Sequence, residues 1–425
     1  MTPTSSVDPS EQITEATGFD VAAIRADFPI LAQQQDGKRL VFLDSGASSQ
    51  RPRQVIEAMS TLYETNYANV HRGVYQLAER STSAYEAARA SVARFIGGHT
   101  NEVVFTKNAT EAINLVARSW GGANLGPGDA VVLTLLEHHA NIVPWQMLAQ
   151  EKGFEIRWIG LTDDGQLDLS NLDLLLDGAK LLAFTAMSNV LGTLTPVRHL
   201  ADAAHAAGAV VLVDACQSVP HQPTDVIAMG ADFMAFSGHK MLGPSGIGVL
   251  WARAELLDAM PPFLGGGGMI LNVTTEGFTT DAAPQKFEAG TPPIAEAVGL
   301  AAAVAYLENI GMAAIRRHEV ELTAYALRTL RERLGDDLSM PGPTEPAARG
   351  GVLSLALADV HAHDVSQILD EAAVCVRPGH HCAKPLMKHL GVAATARASL
   401  YLYNDTDDID ALADALVTAR DFFAL

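Results

Sequence analysis

A lysine and an aspartate each follow an apolar segment of the chain, in positions that suit one kind of chemistry. Lys240 comes just after the apolar run 231–237, and Asp214 lies at the end of the run 209–215. A lysine beyond a buried strand can have a lowered pKa and form a Schiff base with an aldehyde. A carboxylate on a neighbouring strand can keep a pyridine nitrogen protonated, so that the ring accepts electrons. The pair predicts a pyridoxal phosphate site, against the ordinary alternatives of a surface lysine and a capping or core aspartate.

Other polar residues at the ends of apolar segments supply what this cofactor needs. His138 follows one such run and could stack on the ring, and Gln217 could bond the ring hydroxyl. Thr110 lies where the sequence NAT opens a helix, and the N–H groups at a helix start bind phosphate. Ser237 and His239 could add side-chain donors to that phosphate. Taken singly, each residue is more often a helix cap or a loop residue.

One of the three cysteines follows two histidines directly, in the stretch RPGHHCAKPLM. Cys382 could be a metal ligand, a nucleophile or a buried small residue. The sequence has no second ligand cluster at the spacing of a zinc site, which argues against a metal ligand. Nearby Arg377, His380, His381 and Lys384 would favour the thiolate, the reactive form of a cysteine. These residues alone leave the choice between a nucleophile and a core residue open.

Short apolar runs alternate with helical patterns between residues 100 and 251, and this alternation predicts the fold. Six runs have the composition of buried strands, namely 102–106, 130–136, 180–187, 209–215, 231–237 and 246–252. Helical patterns that end near a glycine lie between several of them. Nearly all-apolar strands alternating with helices indicate an α/β protein whose mostly parallel central sheet is covered on both faces. Ligands of such sheets bind at the carboxyl ends of the strands, where the polar residues above lie.

The pattern changes after residue 292, where two long helical segments precede a shorter mixture of strands and helices. We predict a large cofactor-binding domain over residues 19–292, whose first residues could pack on the other domain. A smaller α+β C-terminal domain over residues 293–425 would carry the cysteine loop. Residues 1–18 have neither the basic nor the apolar region of a secretory signal, and we expect them to form a disordered tail.

The composition argues against several classes of function. The 425 residues include 49 acidic and 29 basic ones, so the net charge is −20. This surface repels nucleic acid and anionic membranes, and no cluster of basic residues interrupts it. No apolar run approaches the ~18 residues that span a bilayer. Three cysteines argue against a disulfide framework, so we expect a cytoplasmic protein. From the charge and the absence of long apolar runs, we expect no nucleic-acid or membrane partner.

Nine motifs resemble those of the fold-type I pyridoxal phosphate enzymes of the class V aminotransferase group. The closer resemblance is to the SUF-type (group II) cysteine desulfurases, and it covers nearly the whole chain from about residue 20. The motifs, in chain order, are FLDSGASSQRP, NVHRGVYQLA, EHHANIVPWQ, SNVLGT, VDACQSVPH, SGHKMLGPSGIGVLW, FEAGTPP, RPGHHCA and RASLYLYN. The resemblance implies a homodimeric, pyridoxal phosphate-dependent transferase that acts on L-cysteine.

The resemblance also implies how the cofactor is held. Lys240 would bind its aldehyde, Asp214 would pair with the pyridine nitrogen, and Gln217 would bond the ring hydroxyl. His138 would stack on the ring and relay protons. The residues implied to hold the phosphate are Thr110, Ser237, His239 and, from the other subunit of a dimer, Thr291.

The remaining implied roles concern the substrate. Asn189 and Arg397 would hold its carboxylate. Cys382 would act as the nucleophile that takes the sulfur of L-cysteine as a persulfide and leaves L-alanine. The residues implied to line the entrance of the site are His71, Arg72 and Arg377.

The resemblance extends to the destination of the sulfur, which would be Fe–S cluster assembly by the SUF pathway. His363 lies 19 residues before Cys382, and desulfurases that resemble this chain and serve a zinc-bearing SufU-type acceptor have a histidine there. We therefore predict a SufU-like partner whose zinc is transiently ligated by His363. The alternatives are a SufE-like acceptor and an ordinary loop histidine.

Two other functions fit parts of the pattern. A selenocysteine lyase or another class V aminotransferase-like enzyme would share the fold and Lys240, although an aminotransferase needs no thiol at position 382. A partner-binding scaffold on a degenerate fold is the non-enzymatic alternative. The intact Lys240, Asp214 and Arg397 argue against such a scaffold.

Overall fold

The computed structural model describes residues 19–424, and the predicted tail over residues 1–18 lies outside the described residues. Three two-residue strands come first, namely β1 (Gln34–Gln35), β2 (Lys38–Arg39) and β3 (Val41–Phe42). A seven-stranded sheet then forms the main body of the chain. Its strands are β4 (Val103–Thr106), β5 (Ala130–Thr134), β6 (Glu155–Ile159), β7 (Ala179–Thr185), β8 (Val210–Asp214), β9 (Phe233–Ser237) and β10 (Gly248–Ala252).

The seven strands are ordered β4-β10-β9-β8-β7-β5-β6. β10 is antiparallel to both of its neighbours, and the strands from β9 to β6 pair in parallel. The predicted α/β class with a mostly parallel sheet is therefore confirmed. All six predicted strands are present, and the seventh, β6, went unpredicted. The charged residues Glu155 and Arg157 interrupt its apolar run. An edge strand tolerates charged residues because its side chains are less buried.

Successive residues of the strands pack into two apolar clusters, one on each face of the sheet. In β5, Ala130 and Val132 belong to one cluster, and Val131 and Leu133 belong to the other. Side chains of a strand point alternately to its two faces, so both faces need apolar residues when both are covered. This packing explains why the strands are apolar almost throughout.

Ten helices between residues 21 and 259 accompany this sheet. They are α1 (Val21–Ala26), α2 (Arg53–Thr65), α3 (Gln76–Phe95), α4 (Ala109–Val116), α5 (Gly122–Asn124), α6 (Val143–Lys152), α7 (Leu172–Leu176), α8 (Val197–Ala206), α9 (Val226–Met229) and α10 (Ala254–Ala259). A π-helical turn over residues 117–121 joins α4 to α5. The helices α4 and α6 begin just after strands of the sheet, so their N-termini lie near the strand ends.

A hairpin of β11 (Ile270–Val273) and β12 (Phe278–Thr280) separates this body from the C-terminal elements. The helices that follow are α11 (Ile294–Ile310), α12 (Met312–Leu334), α13 (Ala362–Glu371), α14 (Lys384–His389) and α15 (Thr406–Phe423). The strands among them are β13 (Leu338–Ser339), β14 (Val352–Leu357), β15 (Val374–Cys375), β16 (Arg377–Gly379) and β17 (Thr395–Ser399). A second, antiparallel sheet has the order β13-β14-β17-β16.

The two long helices predicted after residue 292 are α11 and α12, and they pack on different parts of the molecule. The apolar residues of α11 join the core of the large sheet beside α2 and α3. α12 packs instead against α15 and the second sheet. The domain boundary at residues 292 and 293 stays a prediction. No single described helix has the length and apolar composition needed to cross a membrane, and only the bent pair α11 and α12 meets that criterion jointly.

The first described residues lie against the C-terminal part of the chain. β3 pairs in parallel with β15, and Val41 lies opposite Val374. Arg25 bonds the backbone oxygens of Leu40 and Tyr403, and its guanidinium is 3.4 Å from the buried carboxylate of Asp408. After β3 the chain reaches the end of β17, where Asp44 forms a parallel bridge to Ser399.

Candidate active site

A cavity of about 550 Å³ lies at the carboxyl ends of the parallel strands β7, β8 and β9. Residues from the second sheet and from the loop after β16 complete its wall. Twelve of the fifteen site residues predicted from the sequence line it. They are Thr110, His138, Asn189, Asp214, Gln217, Ser237, His239, Lys240, His363, Arg377, Cys382 and Arg397.

The lysine and the aspartate that suggested a cofactor lie together at the strand ends. Asp214 ends β8 and lies opposite Ala235 of the parallel neighbour β9. Its side chain is buried, and Oδ1 accepts a hydrogen bond from the backbone N–H of Cys216 at 3.0 Å. Lys240 follows β9 in one helical turn over Gly238–Lys240. The register of the two strands therefore brings both side chains to one edge of the sheet.

The first turn of α4 forms one end of the cavity and offers an anion site. Asn108 caps this helix, and its side-chain oxygen accepts a hydrogen bond from the N–H of Glu111 at 3.0 Å. The N–H of Ala109 donates to Oγ of Ser237 at 2.9 Å, which ties the helix start to the end of β9. Thr110 lines the cavity from the same turn. Helix-start N–H groups beside hydroxyl groups are suited to a phosphate.

Arg397 presents a buried cation to the same cavity. Its Nη1 donates to the backbone oxygen of Asn189 at 2.9 Å, and its Nη2 donates to Asp44 Oδ1 at 3.2 Å. Nε has no hydrogen-bond partner among the described residues. Asp44 also binds the exposed Arg377, at 3.1 Å from Nη2. Burial lowers the pKa of Arg397, and the nearby Asp44 opposes that shift. A substrate carboxylate could occupy the donors that Arg397 keeps free.

Cys382 lies exposed on the loop between β16 and α14, and its backbone conformation is unusual. His381 and Cys382 have φ values of 50° and 55°, in the left-handed region that L-residues rarely adopt. The N–H of Cys382 donates to His380 Nδ1 at 3.1 Å, and Asn189 Nδ2 donates to the backbone oxygen of His381 at 2.8 Å. The His381 ring is buried and lies 2.9 Å from Thr395 Oγ1. These contacts hold the exposed thiol on the cavity wall.

The profile of the family described as aminotransferase class-V matches residues 41–412, nearly the whole chain. The chain belongs to the class V aminotransferase family. The match confirms the family that the nine motifs predicted.

Relatives within the class V aminotransferase family share both sequence and fold with this chain. A protein of Streptomyces coelicolor named probable cysteine desulfurase is 53% identical over 419 residues, which cover 97% of this chain and all of the relative. The apo structure of cysteine desulfurase from Thermococcus onnurineus NA1 has a TM-score of 0.90 and 40% identity, over 94% of this chain and 98% of that one. The Escherichia coli cysteine desulfurase CsdA has a TM-score of 0.86 and 38% identity, over 96% of this chain and 100% of that one.

Pyridoxal phosphate, the cofactor predicted from the sequence, is the cofactor of this class V aminotransferase fold, and the residues present fit it. A buried carboxylate, a lysine and a helix start line one cavity, as the ring nitrogen, aldehyde and phosphate require. The buried amide of Gln217 donates through Nε2 to the backbone oxygen of Gly46 at 2.7 Å. Its Oε1 has no hydrogen-bond partner within residues 19–424. A buried amide oxygen without a partner costs stability, and a polar ligand beside it would remove that cost.

Two histidines of the cavity that Lys240 influences have pKa values well below neutral pH. Burial, with a further effect from Lys240, lowers the pKa of His138 to about 4. The same two causes lower the pKa of His239 to about 4. His138 Nδ1 accepts a hydrogen bond from the N–H of Ala140 at 3.0 Å, which places the proton of the neutral ring on Nε2. A neutral imidazole in this position can both stack on a ring and move a proton.

A second thiol in the cavity differs from Cys382 in its surroundings. Cys216 lines the wall with its Sγ 3.9 Å from Ser237 Oγ. Burial and the nearby Asp214 carboxylate raise the pKa of Cys216, so its thiol stays protonated and unreactive. Burial also raises the pKa of Cys375, which lies in β15 outside the cavity. Of the three cysteines, Cys382 is the exposed one.

Three predicted site residues lie elsewhere. His71, Arg72 and Thr291 line a second cavity of about 260 Å³ beside the glycines after residue 264. His71 Nε2 lies 2.9 Å from the carboxylate of Glu86. Within one chain, therefore, these residues do not contribute to the main cavity. The entrance role of His71 and Arg72 and the contact of Thr291 to another subunit stay predictions.

His363 lines the outer part of the main cavity, at the start of α13. Its N–H donates to Nδ1 of His361, the residue that caps this helix, at 3.2 Å. The two imidazole rings are parallel, with centroids 5.5 Å apart. His363 and Cys382 thus both line the main cavity.

Three further residues support the site and were not assigned a role from the sequence. Asp44 binds both Arg377 and Arg397, and its only sequence signal was its place in FLDSGASSQRP. Glu137 is fully buried beneath the turn after β5, and the motif EHHANIVPWQ contains it. His139 of the same motif contacts the loop that carries Cys382.

Proposed function

We propose that this protein is a pyridoxal phosphate-dependent cysteine desulfurase, which converts L-cysteine to L-alanine and holds the sulfur as a persulfide on Cys382. One observation carries this proposal. An exposed cysteine on a constrained loop lines the same cavity as Lys240, Asp214 and Arg397. The names of the relatives, at 40% and 53% identity, support it.

Arg397 and Asn189 serve to bind and orient the amino acid. The Arg397 side chain is 2% exposed, so an ion pair with a carboxylate there is only weakly screened by water. Asp44 fixes the guanidinium by a hydrogen bond to Nη2. A substrate held by its carboxylate has its other end confined to the cavity that Lys240 and Cys382 share.

Pyridoxal phosphate, when bound, supplies an electron sink that lets a proton leave the Cα of an amino acid. Lys240 Nζ is the group of this chain that removes that proton and returns one. Neutral His138 is within the same cavity and relays protons through Nε2. Asp214 maintains the charge of the ring nitrogen on which the sink depends.

Cys382 carries out the sulfur transfer. Its thiolate attacks the sulfur of bound L-cysteine, a sulfur–sulfur bond forms, and the bond between that sulfur and Cβ breaks. The electron pair of the broken bond stays with the carbon side, where protonation of Cβ completes L-alanine. The products are alanine and a persulfide, and no external oxidant or reductant is consumed.

The proposal includes a homodimer in which each chain completes the other's site. His71, Arg72 and Thr291 line a cavity of their own chain that lacks Lys240 and Asp214. Val74 and Leu271 follow lining residues of this cavity closely in the sequence, and they are 97% and 71% exposed. Exposed large apolar side chains are typical of an interaction surface. A partner covering it would bring Thr291 to the phosphate of the other chain.

The proposal also includes a sulfur acceptor of the SUF pathway. His363 and Cys382 both line the wall of the main cavity, and His363 is exposed. A zinc-bearing SufU-like protein docked at this wall could exchange a zinc ligand with His363, and a SufE-like protein could not. The test is turnover with and without zinc-loaded SufU-type protein. Stimulation that survives His363→Ala unchanged contradicts this role.

The desulfurase proposal is tested by alanine and sulfide release from L-cysteine, with the cofactor spectrum recorded alongside. We expect the wild type to release alanine, and Cys382→Ala to keep the cofactor but lose turnover. Cys216→Ala is the matched control, because it removes a thiol of the same cavity that stays protonated. Full activity of Cys382→Ala would overturn the proposal and favour chemistry that needs no thiol.

A further inference from the structure

The turn after β5 carries two adjacent histidines that face different partners. His138 lines the main cavity, whereas His139 lies against the loop that carries Cys382. The backbone N–H of His139 donates to the backbone oxygen of Cys382 at 2.7 Å. Its ring Nε2 accepts a hydrogen bond from the N–H of Lys384 at 3.0 Å. His139 therefore holds the cysteine loop through both its backbone and its side chain.

The cysteine loop needs such anchors because of its backbone conformation. His381 and Cys382 are two consecutive L-residues with φ near 50° and 55°. Residues persist in this region only where their surroundings determine the conformation. Asn189 anchors the residue before the thiol, and His139 anchors Cys382 itself and Lys384 after it. Loss of the ring contact would leave the hydrogen bond from the His139 backbone as the one link from this turn to the loop among the described residues.

The turn that carries His139 is itself rigidly supported. Glu137 is fully buried, and its Oε1 accepts a hydrogen bond from the N–H of Thr185 at 2.9 Å. Its Oε2 accepts from Asn141 Nδ2 at 2.7 Å. These bonds tie the turn to β7 and close it on itself, and Trp145 of α6 donates through Nε1 to Asn141 Oδ1 at 3.1 Å. His139 thus links the rigid sheet to an exposed loop.

We propose that His139 is a positioning residue that keeps Cys382 on the cavity wall, and that its ring contact to Lys384 opens when the imidazole takes up a proton. This inference rests on the proposed function insofar as Cys382 is the sulfur acceptor. The hydrogen bond itself requires an unprotonated Nε2, because a protonated ring nitrogen has no lone pair with which to accept.

The groups around His139 favour its neutral form. Burial, then His380 and Lys384 of the cysteine loop, lower the pKa of His139 below its usual value of 6.5. The ring of His380 is 5.6 Å away, and the ring of His138, on the turn itself, is 6.4 Å away. The contact is therefore made at neutral pH and is lost as the pH falls through that lowered pKa.

The test uses two substitutions in the holoenzyme. Gln at this position can place an oxygen where Nε2 lies and does not titrate, whereas Leu cannot accept a hydrogen bond. We expect His139→Leu to speed hydrogen exchange of the Lys384 amide about two- to tenfold at neutral pH, the effect of one hydrogen bond. His139→Gln is expected to retain the protection. Alkylation of Cys382 by iodoacetamide should rise in H139L and not in H139Q.

The pH profile separates this role from a merely structural one. We expect the protection of Lys384 in the wild type, relative to H139Q, to disappear as the pH falls below the usual range of a histidine. Equal protection in the wild type, H139L and H139Q at every pH would overturn the inference. Neither measurement needs desulfurase turnover. A fully active Cys382→Ala variant would therefore refute the proposed function and leave the Lys384 result unchanged. Equal protection of Lys384 in all three proteins would refute the role of His139 and leave the proposed function unchanged.

Discussion

The two walls of the main cavity are built in different ways. The wall at the strand ends consists mostly of buried and half-buried side chains, such as Asp214 and Lys240, that follow regular strands and are positioned by their register. The other wall is a loop that a few hydrogen bonds hold in place. It carries the exposed Cys382, and both His381 and Cys382 have left-handed backbone conformations. The first construction suits a cofactor that must stay in one place. The second suits a thiol that must accept sulfur inside the site and present it outside.

The largest effect should come from the strand-end wall. Lys240→Ala removes the group that moves the substrate proton, and general acid–base catalysis accounts for about 10²- to 10⁴-fold in rate. We expect alanine release from L-cysteine to fall by at least about 100-fold. Reduction with borohydride should fix the cofactor to the wild type and not to the variant. Covalent retention in K240A would mean that another lysine holds the aldehyde.

A smaller loss of activity is expected from a substitution at Asp44. Asp44→Asn keeps the size of the side chain but removes the charge that fixes both Arg377 and Arg397. Hydrogen bonds to charged groups contribute about 1.5–3 kcal/mol, so kcat/KM for L-cysteine should fall about tenfold or more. The effect should appear mainly in KM, because Arg397 binds the carboxylate. Steady-state kinetics decide this, and a loss confined to kcat would contradict the carboxylate role.

The ionisation of Glu137, which supports the turn after β5, can be tested through the pH dependence of the unfolding free energy. Burial raises the pKa of Glu137 to about 8, whereas in the unfolded chain it ionises near its usual value. Between these two values the unfolded chain binds fewer protons, so the unfolding free energy decreases as the pH rises. Glu137→Gln removes this dependence. The thermal midpoint of the variant, measured relative to that of the wild type, should therefore rise from about pH 5 to 8.

An unchanged midpoint difference over that pH range would mean that Glu137 stays ionised in the folded protein. The three hydrogen bonds that the carboxylate receives act in that direction. The measurement therefore decides between burial and hydrogen bonding as the dominant effect on this side chain. Thr134→Val, which removes one of those donors, is the matched control.

The smallest effect is expected at the second thiol of the cavity. Cys216→Ala should change alanine release by no more than about twofold, because a half-buried thiol with a raised pKa contributes packing alone. Rapid alkylation of the native protein should label one cysteine in each chain, and Cys382→Ala should abolish that labelling. Rapid labelling of Cys216 would show that the strand-end wall opens to solvent.

The accuracy of the sequence predictions differs between the same two walls. Strand-end residues such as Asp214 and Lys240 were predictable because an apolar run is a local signal and its polar end is the ligand-binding edge of a parallel sheet. The edge strand β6 was missed because its charged residues hide that signal. His139 and Asp44 were quoted only within motifs, since their partners lie more than 200 residues away in the chain.

The sequence by itself determined the fold class, the family and the cofactor, since periodicity and ordered motifs are properties of the chain that need no tertiary structure. It also singled out Cys382 by its neighbours. Only the tertiary structure decided that His71, Arg72 and Thr291 lie in a separate cavity, that α11 packs on the large sheet, and that His139 holds the cysteine loop. Such contacts join residues far apart in sequence, and their partners are set by the packing of whole elements rather than by any local pattern.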